Sequence, residues 1–349
     1  MLRGLHHITL VTSNSVVNRK FYSEVLGLRL VKLTVNQDDV FHRHLFYGDE
    51  RGSTGSVITF FEWPHLPRGL VGLGSPHHLA YSVKRPEAIP LWVSWLRKNG
   101  IHVIGPYARG DRVSIYFRDP DGALIEITAE KEGVAEDYLD ELISTQMEVD
   151  GVNSDMRLSF LNHATPISSD HELTARFFEK FLNVKPLYKM QNPDDSESLL
   201  LGLGDEEDYL IYLVSSSATD GWVGVGNIHH IAFCVDGEEE QRMIMRRLNM
   251  ARIPNSGIID RFWFKSLYFR DPDGNLLEVA TRGPGYTRDE SLEELGSRLI
   301  LPPWLERSRE AIEARLAELD RKNPPRWPPS YDKPSEKPES LRSLAIAPS

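Results

Sequence analysis

A seven-residue phrase occurs twice in this sequence and restricts the fold to repeated units. It is Tyr-Phe-Arg-Asp-Pro-Asp-Gly, which starts at Tyr116 and again at Tyr268. Each copy is followed, four residues after its glycine, by a glutamate, Glu126 or Glu278. Asp-Pro-Asp-Gly favours a tight turn, because proline fixes φ and glycine accepts a positive φ. The phrase therefore predicts two β-hairpins, each with a tyrosine and a glutamate on neighbouring strands.

Histidines open four similar segments of the chain. The pairs are His6-His7, His77-His78, Asn162-His163 (with asparagine in place of the first histidine) and His229-His230. Sliding the chain along itself aligns the first segment with the third and the second with the fourth, which indicates an internal duplication. The segments, called modules 1 to 4 below, lie near residues 4–63, 75–130, 157–216 and 226–282.

Each module is predicted to run strand, helix and then three strands. Residues 5–11 are apolar and β-branched, as in a strand. Asn14 then offers a helix N-cap, apolar residues follow at helical spacing, and Gly27 stands where a C-cap belongs. In module 2 a helix is predicted over 89–98, ending at Asn99-Gly100.

Histidines and glutamates of the modules together predict metal binding. Glu126 and Glu278 each lie 48 residues after the second histidine of their own module, His78 or His230. Two histidines and one carboxylate form the facial triad of non-haem iron(II) oxygenases. From the residues alone, His7 could complete either set.

Other histidines are weaker candidates. Strand side chains alternate, so His6, His77 and His229 should face away from the ligands unless the strand is bulged, and are supporting residues at most. His42 and His44 share one strand face and could line the same cavity, although solvent contact or packing is the more usual role.

Composition limits the function. A net charge of −11 gives no attraction to nucleic acid or to anionic lipid, and no apolar stretch is long enough to span a membrane. The single cysteine, Cys234, lies in an apolar strand, where a buried hydrophobe is expected. Without a signal peptide or disulfides, a cytoplasmic location is expected.

The motifs Leu5-His-His-Ile-Thr-Leu10, Phe21-Tyr-x-x-Val-Leu-Gly-Leu28 and the repeated phrase resemble the vicinal oxygen chelate superfamily, which includes glyoxalase I, bleomycin-resistance proteins and extradiol dioxygenases. The resemblance implies an α+β fold of four βαβββ modules, paired into two curled mixed sheets around metal. The expected units are domain 1–130, linker 131–155, domain 156–285, helical extension 286–320 (two short helices around Pro302-Pro303) and disordered tail 321–349.

A closer resemblance, over residues 4–320, is to the hydroquinone-type ring-cleaving dioxygenases. It implies an iron(II)-dependent dioxygenase that acts on hydroquinone-type or catecholic aromatic diols, with manganese(II) as the alternative metal. The implied ligands are His7, His230 and Glu278, with Thr9 on the same strand face. Arg261 would stabilise developing negative charge and Tyr268 would donate a proton, with His229 as a weaker candidate. The expected partners are a small aromatic diol, dioxygen and, in a homo-oligomer, further copies of the chain.

The sequence departs from that family in one respect. The family has usually lost its other set of ligands, yet His78, Glu126 and His163 are all present, and Arg109 and Tyr116 stand where Arg261 and Tyr268 stand in the first set. A second metal site is therefore predicted.

Two other functions remain open from the sequence. One is a metal-dependent lyase or isomerase of the glyoxalase type, and the other is a non-catalytic protein that binds aromatic compounds. Glyoxalase I uses a fourth ligand, a glutamate on the last strand of its first module, whereas Thr59 occupies that place and Glu62 should face the other way. Intact triads argue against the pure binding protein.

Overall fold

The structure is a computed structural model that describes residues 2–108, 112–130, 147–191, 197–203, 209–214 and 217–327. Module 1 contains strands β1 (Leu5–Thr12), β2 (Arg29–Asn36), β3 (Asp39–Gly48) and β4 (Val57–Glu62). Module 2 contains β5 (His78–Ser82), β6 (Ile104–Ala108), β7 (Arg112–Arg118) and β8 (Leu124–Glu130). Module 3 contains β9 (Leu161–Thr165), β10 (Ile167–Ser168), β11 (Pro186–Gln191), β12 (Glu197–Gly202) and β13 (Tyr209–Val214). Module 4 contains β14 (Ile228–Val235), β15 (Asn255–Asp260), β16 (Lys265–Arg270) and β17 (Leu276–Thr281).

One helix follows the first strand of every module. These are α1 (Ser15–Arg19, continued by a π-helical segment, Lys20–Val25), α2 (Ala88–Lys98), α3 (His171–Leu182) and α4 (Glu238–Met250). The Asn14 side chain accepts from the backbone N–H groups of Val16 and Val17, which confirms the predicted cap of the first helix. Gly27 and Gly100 have φ values of +71° and +74° where their helices stop, as expected of C-cap glycines.

Modules pair in an order that differs from their order in the chain. β1 of module 1 lies antiparallel to β14 of module 4, and this sheet runs β15-β16-β17-β14-β1-β4-β3-β2. β5 of module 2 lies antiparallel to β9 of module 3, and the second sheet runs β11-β12-β13-β9-β5-β8-β7-β6, with β10 beside β13. We call them the 1–4 sheet and the 2–3 sheet. The α+β fold of four modules in two mixed sheets is confirmed. Neither sheet is built from one half of the chain alone, because residues 1–130 and residues 156–285 each supply one module to the 1–4 sheet and one to the 2–3 sheet.

Both predicted hairpins are present. Tyr116 lies opposite Glu126 on β7 and β8, and Tyr268 lies opposite Glu278 on β16 and β17. In the first turn, Oδ1 of Asp119 accepts from the backbone N–H groups two and four residues later, at 3.0 and 2.8 Å. The first aspartate of the phrase thus ties the turn together, and this fixes the register of the strand pair behind it.

One apolar core joins all four modules. Ile8 and Leu10 of β1 belong to it, together with Tyr81 of β5, Phe178 of α3 and Phe233 of β14. Cys234 is fully buried on β14, as predicted for a small hydrophobe. Because strand side chains alternate, His7 and Thr9 are left on the face of β1 that points away from this core.

Beyond module 4 the chain returns over the 1–4 sheet. Tyr286–Arg288 and Glu306–Ser308 are 3-10 turns, and α5 spans Arg309–Lys322. Two short helices were predicted around Pro302-Pro303; within the described residues one α-helix forms, after the prolines, which cannot donate backbone hydrogen bonds. Residues 131–146 of the predicted linker and 328–349 of the predicted tail lie outside the described ranges. No helix within those ranges has the length and hydrophobicity to span a bilayer.

Candidate metal centres

The structure brings His7, His230 and Glu278 together at the centre of the 1–4 sheet; we call this cluster site 1. The Nε2 atoms of the two histidines are 3.3 Å apart. Oε2 of Glu278 lies 3.4 Å from Nε2 of His7 and 3.0 Å from Nε2 of His230. All three side chains are at most 3% exposed. Of the two pairings open to His7, the structure contains the one with module 4.

Strand register explains this convergence. His7 lies opposite Ala232 on β14, and Ala232 lies opposite Glu278 on β17, so the three form one row across the sheet. The alanine in the middle presents only a methyl group, which lets the two longer side chains meet above it. His230, two residues before Ala232, shares its face. Sequence reasoning missed this alanine, although Ala80 occupies the same place after His77-His78.

Bulges bring both members of the pairs His6-His7 and His229-His230 to site 1. The register of β1 and β14 shifts at His6 and again at His229, so the simple alternation used in the prediction does not apply there. Nδ1 of His6 lies 2.8 Å from Nδ1 of His7, and Nδ1 of His229 lies 2.8 Å from Nδ1 of His230. Because Nε2 of His7 and Nε2 of His230 are directed at the site, the Nδ1–H group of each donates to the histidine before it, and this hydrogen bond fixes the tautomer that a metal ligand needs.

The protonation states suit metal binding. Burial lowers the pKa of His6 and that of His229 to about 3, so both are neutral near pH 7 and able to accept those hydrogen bonds. Burial by itself would raise the pKa of Glu278, but His7 and His230 hold it well below its ordinary value. Glu278 is therefore held as a carboxylate, the form in which this group binds a metal.

The spacing of the ligand atoms also fits a metal ion. Imidazole nitrogen and carboxylate oxygen bind first-row metals at about 2.0–2.2 Å, so two ligands at right angles lie about 3 Å apart. Site 1 shows 3.0–3.4 Å. Among the described residues, neither buried oxygen of Glu278 accepts a well-aligned hydrogen bond. A buried carboxylate without well-aligned hydrogen bonds is costly, and a cation among the three ligands would lower that cost.

A chain of hydroxyl groups leads away from His230. Oγ1 of Thr9 lies 3.0 Å from Nε2 of His230 and 2.7 Å from Oγ1 of Thr59, and Thr59 lies 2.8 Å from Nε2 of His44. Thr59 thus stands beside site 1 where a fourth carboxylate ligand was considered. Glu62 faces elsewhere, since its carboxylate accepts from the backbone N–H of Ser15 and from Arg43.

A pocket opens on site 1 between the ends of several strands. Its lining comprises His7, Asn36, Gln37, Asp38, His44, Phe46, Phe61, His230, Arg261, Trp263, Phe264 and Tyr268. Of the two histidines on β3, His44 lines the pocket, whereas His42 lies 2.7 Å from Asp39 and packs against His65. The pocket therefore combines flat aromatic walls with the two histidines of site 1.

Arg261 and Tyr268 stand side by side in this pocket. The guanidinium group lies 5.4 Å from the centre of the tyrosine ring and donates two hydrogen bonds, of 3.1 and 2.7 Å, to Asp38 on the turn between β2 and β3. The tyrosine ring lies edge-on to His230, with ring centres 5.6 Å apart. Burial raises the pKa of Tyr268, so its hydroxyl keeps its proton at neutral pH. Asp38, which no sequence motif singled out, binds the guanidinium group on the side that would otherwise be open to an anion.

A matching cluster, site 2, consists of His78, Glu126 and His163 in the 2–3 sheet. Oε2 of Glu126 lies 3.0 Å from Nε2 of His78 and 3.2 Å from Nε2 of His163. Tyr116 stands edge-on to His78 with ring centres 5.6 Å apart, as Tyr268 stands to the equivalent ligand of site 1. Arg109, the predicted counterpart of Arg261, lies outside the described residues.

Comparisons with known proteins agree with this geometry. The sequence matches the Glyoxalase/Bleomycin resistance protein/Dioxygenase superfamily over residues 4–127 and 160–279. It is 32% identical to the "Putative ring-cleaving dioxygenase MhqA" of Bacillus subtilis, covering 90% of this chain and 98% of that protein. It is 28% identical to the chlorohydroquinone/hydroquinone 1,2-dioxygenase of Sphingobium indicum, covering 87% of this chain and 93% of that one. The crystal structure of a "putative dioxygenase" from Bacillus subtilis superposes with a TM-score of 0.77 at 31% identity, covering 90% and 96% of the two chains.

Proposed function

The chain belongs to the Glyoxalase/Bleomycin resistance protein/Dioxygenase superfamily, and on that premise we propose that it is a ring-cleaving dioxygenase of hydroquinone-type diols acting at site 1. One observation carries the proposal. The two histidines of a cluster completed by Glu278 line a pocket that also holds Arg261 and Tyr268. The names of the relatives, MhqA and the hydroquinone dioxygenase, support the reaction class.

We propose that His7, His230 and Glu278 hold iron(II), with manganese(II) as the alternative. Three protein ligands of this kind leave coordination positions open, as in non-haem iron oxygenases. The metal, when bound, supplies a redox-active Lewis acid to the diol. Thr59, which contacts Thr9 next to His230, is neutral and leaves the site with one carboxylate, which supports an oxygenase over the four-ligand glyoxalase alternative.

The pocket walls are suited to a flat ring. Phe61 lies within 6.3 Å of His230 (ring centres), Phe264 lies within 5.4 Å of His7, and Trp263 lines the same pocket. Aromatic side chains of this kind hold a planar substrate by offset or edge contacts. Nε1 of Trp263 donates to Asp289, at 3.0 Å, which keeps this wall in a fixed orientation. The ring is thereby placed over site 1 and water is displaced from it.

Arg261 and Tyr268 supply charge and a proton. A diol that has lost a proton presents an oxyanion, and the guanidinium group of Arg261 is the cation that lines this pocket beside site 1. Tyr268 keeps its proton and stands over His230, so it can donate to an oxygen atom that becomes negative during ring opening. His229 holds Nδ1 of His230, and we propose a positioning role for it in place of the proton transfer considered from the sequence.

Oxygen uptake tests the function directly. Metal-free protein would be loaded with iron(II) under argon and mixed with oxygenated hydroquinone or catechol. The expected result is consumption of one dioxygen per ring opened, with both oxygen atoms in the product and no added reductant. The Arg261→Ala variant should lose kcat/KM while its metal content at site 1 stays at the wild-type level.

Two outcomes would contradict the proposal. Isomerisation of a glutathione hemithioacetal without oxygen uptake on any diol would indicate a glyoxalase-type enzyme. Tight binding of hydroquinone by iron-loaded protein without turnover, with the bound metal verified as iron(II), would indicate a binding protein.

A further inference from the structure

We propose that site 2, formed by His78, Glu126 and His163, is a second divalent-metal site in the same chain. This goes beyond the function proposed for site 1 and does not depend on the reaction there. Its three side chains are about as buried as those of site 1, each at most 2% exposed.

Site 2 is built by the same arrangement of strands. His163 on β9 lies opposite Ala80 on β5, and Ala80 lies opposite Glu126 on β8. His78 precedes the alanine by two residues, so it shares that face. The carboxylate oxygen lies 3.0 and 3.2 Å from the two Nε2 atoms, and Oγ1 of Thr165 lies 3.2 Å from Nε2 of His78, as Thr9 lies beside His230 in site 1.

The residues that precede the ligands give a separate argument. Nδ1 of His78 lies 2.7 Å from Nδ1 of His77, and Nδ1 of His163 lies 2.8 Å from Oδ1 of Asn162. Oδ1 of Asn162 also accepts a hydrogen bond from Arg112, which identifies this atom as the amide oxygen. An oxygen acceptor requires Nδ1 of His163 to carry the proton.

It follows that the other nitrogen of His163 faces a carboxylate. In the neutral ring, Nε2 then carries a lone pair 3.2 Å from Oε2 of Glu126, and two lone pairs repel one another. A cation between them turns the contact into two ligand bonds. The competing state is an imidazolium ion of His163 paired with the carboxylate.

The surroundings of site 2 differ from those of site 1. Counting along the matching strand pairs, positions that carry aromatic rings at site 1 carry small or aliphatic residues here: Ser198 for His44, Leu200 for Phe46 and Leu213 for Phe61. Arg112 takes the place of Phe264, and its bond to Asn162 replaces the ring contact between Phe264 and His6. The metal ligands are thus retained while the flat walls of the substrate pocket are replaced.

Cobalt(II) titration of the metal-free protein under argon tests the proposal. Binding would be followed by visible absorption of the cobalt ion, and bound metal would be counted by elemental analysis after desalting. The wild-type chain should bind close to two equivalents. Glu126→Gln should bind one, Glu278→Gln should bind the other, and the double variant should bind close to none.

The wild-type count needs no variant to fold, and the variants then assign each bound equivalent to its site. One equivalent in the wild type, lost in Glu278→Gln and kept in Glu126→Gln, would overturn the proposal and leave site 2 as a histidine–carboxylate ion pair. Circular dichroism of each variant checks folding, and His163→Gln replaces Glu126→Gln if that variant unfolds. Two equivalents of cobalt, together with iron-loaded protein that oxidises no diol, would keep this proposal and reject the function proposed for site 1.

Discussion

Asp38 binds the guanidinium group of Arg261, which the substrate is proposed to use, so the Asp38→Asn variant should bind the diol more tightly. The aspartate lies on the turn between β2 and β3 and accepts two hydrogen bonds from Arg261. A substrate oxyanion has to take its place. Asparagine keeps the size of the side chain but removes the charge that competes with the substrate.

The size of the effect follows from the exposure of the pair. The side chain of Asp38 is 71% exposed and that of Arg261 is 14% exposed. Water screens such a pair, and its contribution to free energy is about 0.2–1 kcal/mol. Since about 1.4 kcal/mol corresponds to a factor of ten, the KM for hydroquinone should fall by about 1.4- to 5-fold. The kcat should change less.

The assay is initial oxygen uptake against hydroquinone concentration in iron-loaded protein, at low and at high salt. Asp39→Asn is the matched control. It alters net charge equally one residue later, at the start of β3, where Asp39 contacts Trp63 and His42. The difference between the two variants should shrink as salt screens the charges.

A rise of KM in Asp38→Asn, together with a fall in kcat, would refute this reasoning. It would show that Asp38 holds Arg261 in its productive position and that the substrate binds alongside the pair.

Four further predictions concern the site and its support. Ala232→Val should reduce the metal bound at site 1 several-fold by elemental analysis, because the methyl groups of valine would fill the space in which His7 and Glu278 meet. Tyr268→Phe should lower kcat about 100-fold or more in oxygen-uptake assays, with little change in metal content, because a proton donor is lost. Burial raises the pKa of Asp119 from 3.8 to about 7, so the folded protein keeps a proton that the unfolded chain loses above about pH 4. The free energy of unfolding of the wild type should therefore fall by up to about 4 kcal/mol as the pH rises from about 4 to 7. Urea unfolding of Asp119→Asn should show a flatter pH profile. Lys32→Met should lower the free energy of unfolding, measured in urea, by about 3–5 kcal/mol, because it leaves Glu290 as a buried charge without its lysine.

The sequence was sufficient for what depends on short-range chemistry. The repeated Asp-Pro-Asp-Gly turn determines that Tyr116 faces Glu126 and Tyr268 faces Glu278 on neighbouring strands. The cap at Asn14 and the order of elements in a module are equally local. The resemblance then supplied the grouping of His7 with module 4, since the residues by themselves allowed both pairings.

What the sequence did not reveal depends on contacts between distant segments. The bulges at His6 and His229 exist only in the pairing of β1 with β14, so alternation within one strand gave the opposite orientation. The role of Ala232 appears only when its neighbours on both adjacent strands are known. The ion pair of Asp38 with Arg261 joins residues 223 positions apart.

The exchange of modules between the two sheets also implies an order of assembly during synthesis. The central contact of the 2–3 sheet joins residues 87 positions apart, whereas that of the 1–4 sheet spans 223. Closing the longer loop costs only about 0.8 kcal/mol more. The rate of synthesis therefore sets the order of assembly, because a ribosome that adds about 5–20 residues per second needs roughly ten seconds to pass from β9 to β17. During that interval β1 has emerged without its partner β14, with an unpaired edge open to other chains. Site 2 can therefore assemble on the nascent chain well before site 1 exists.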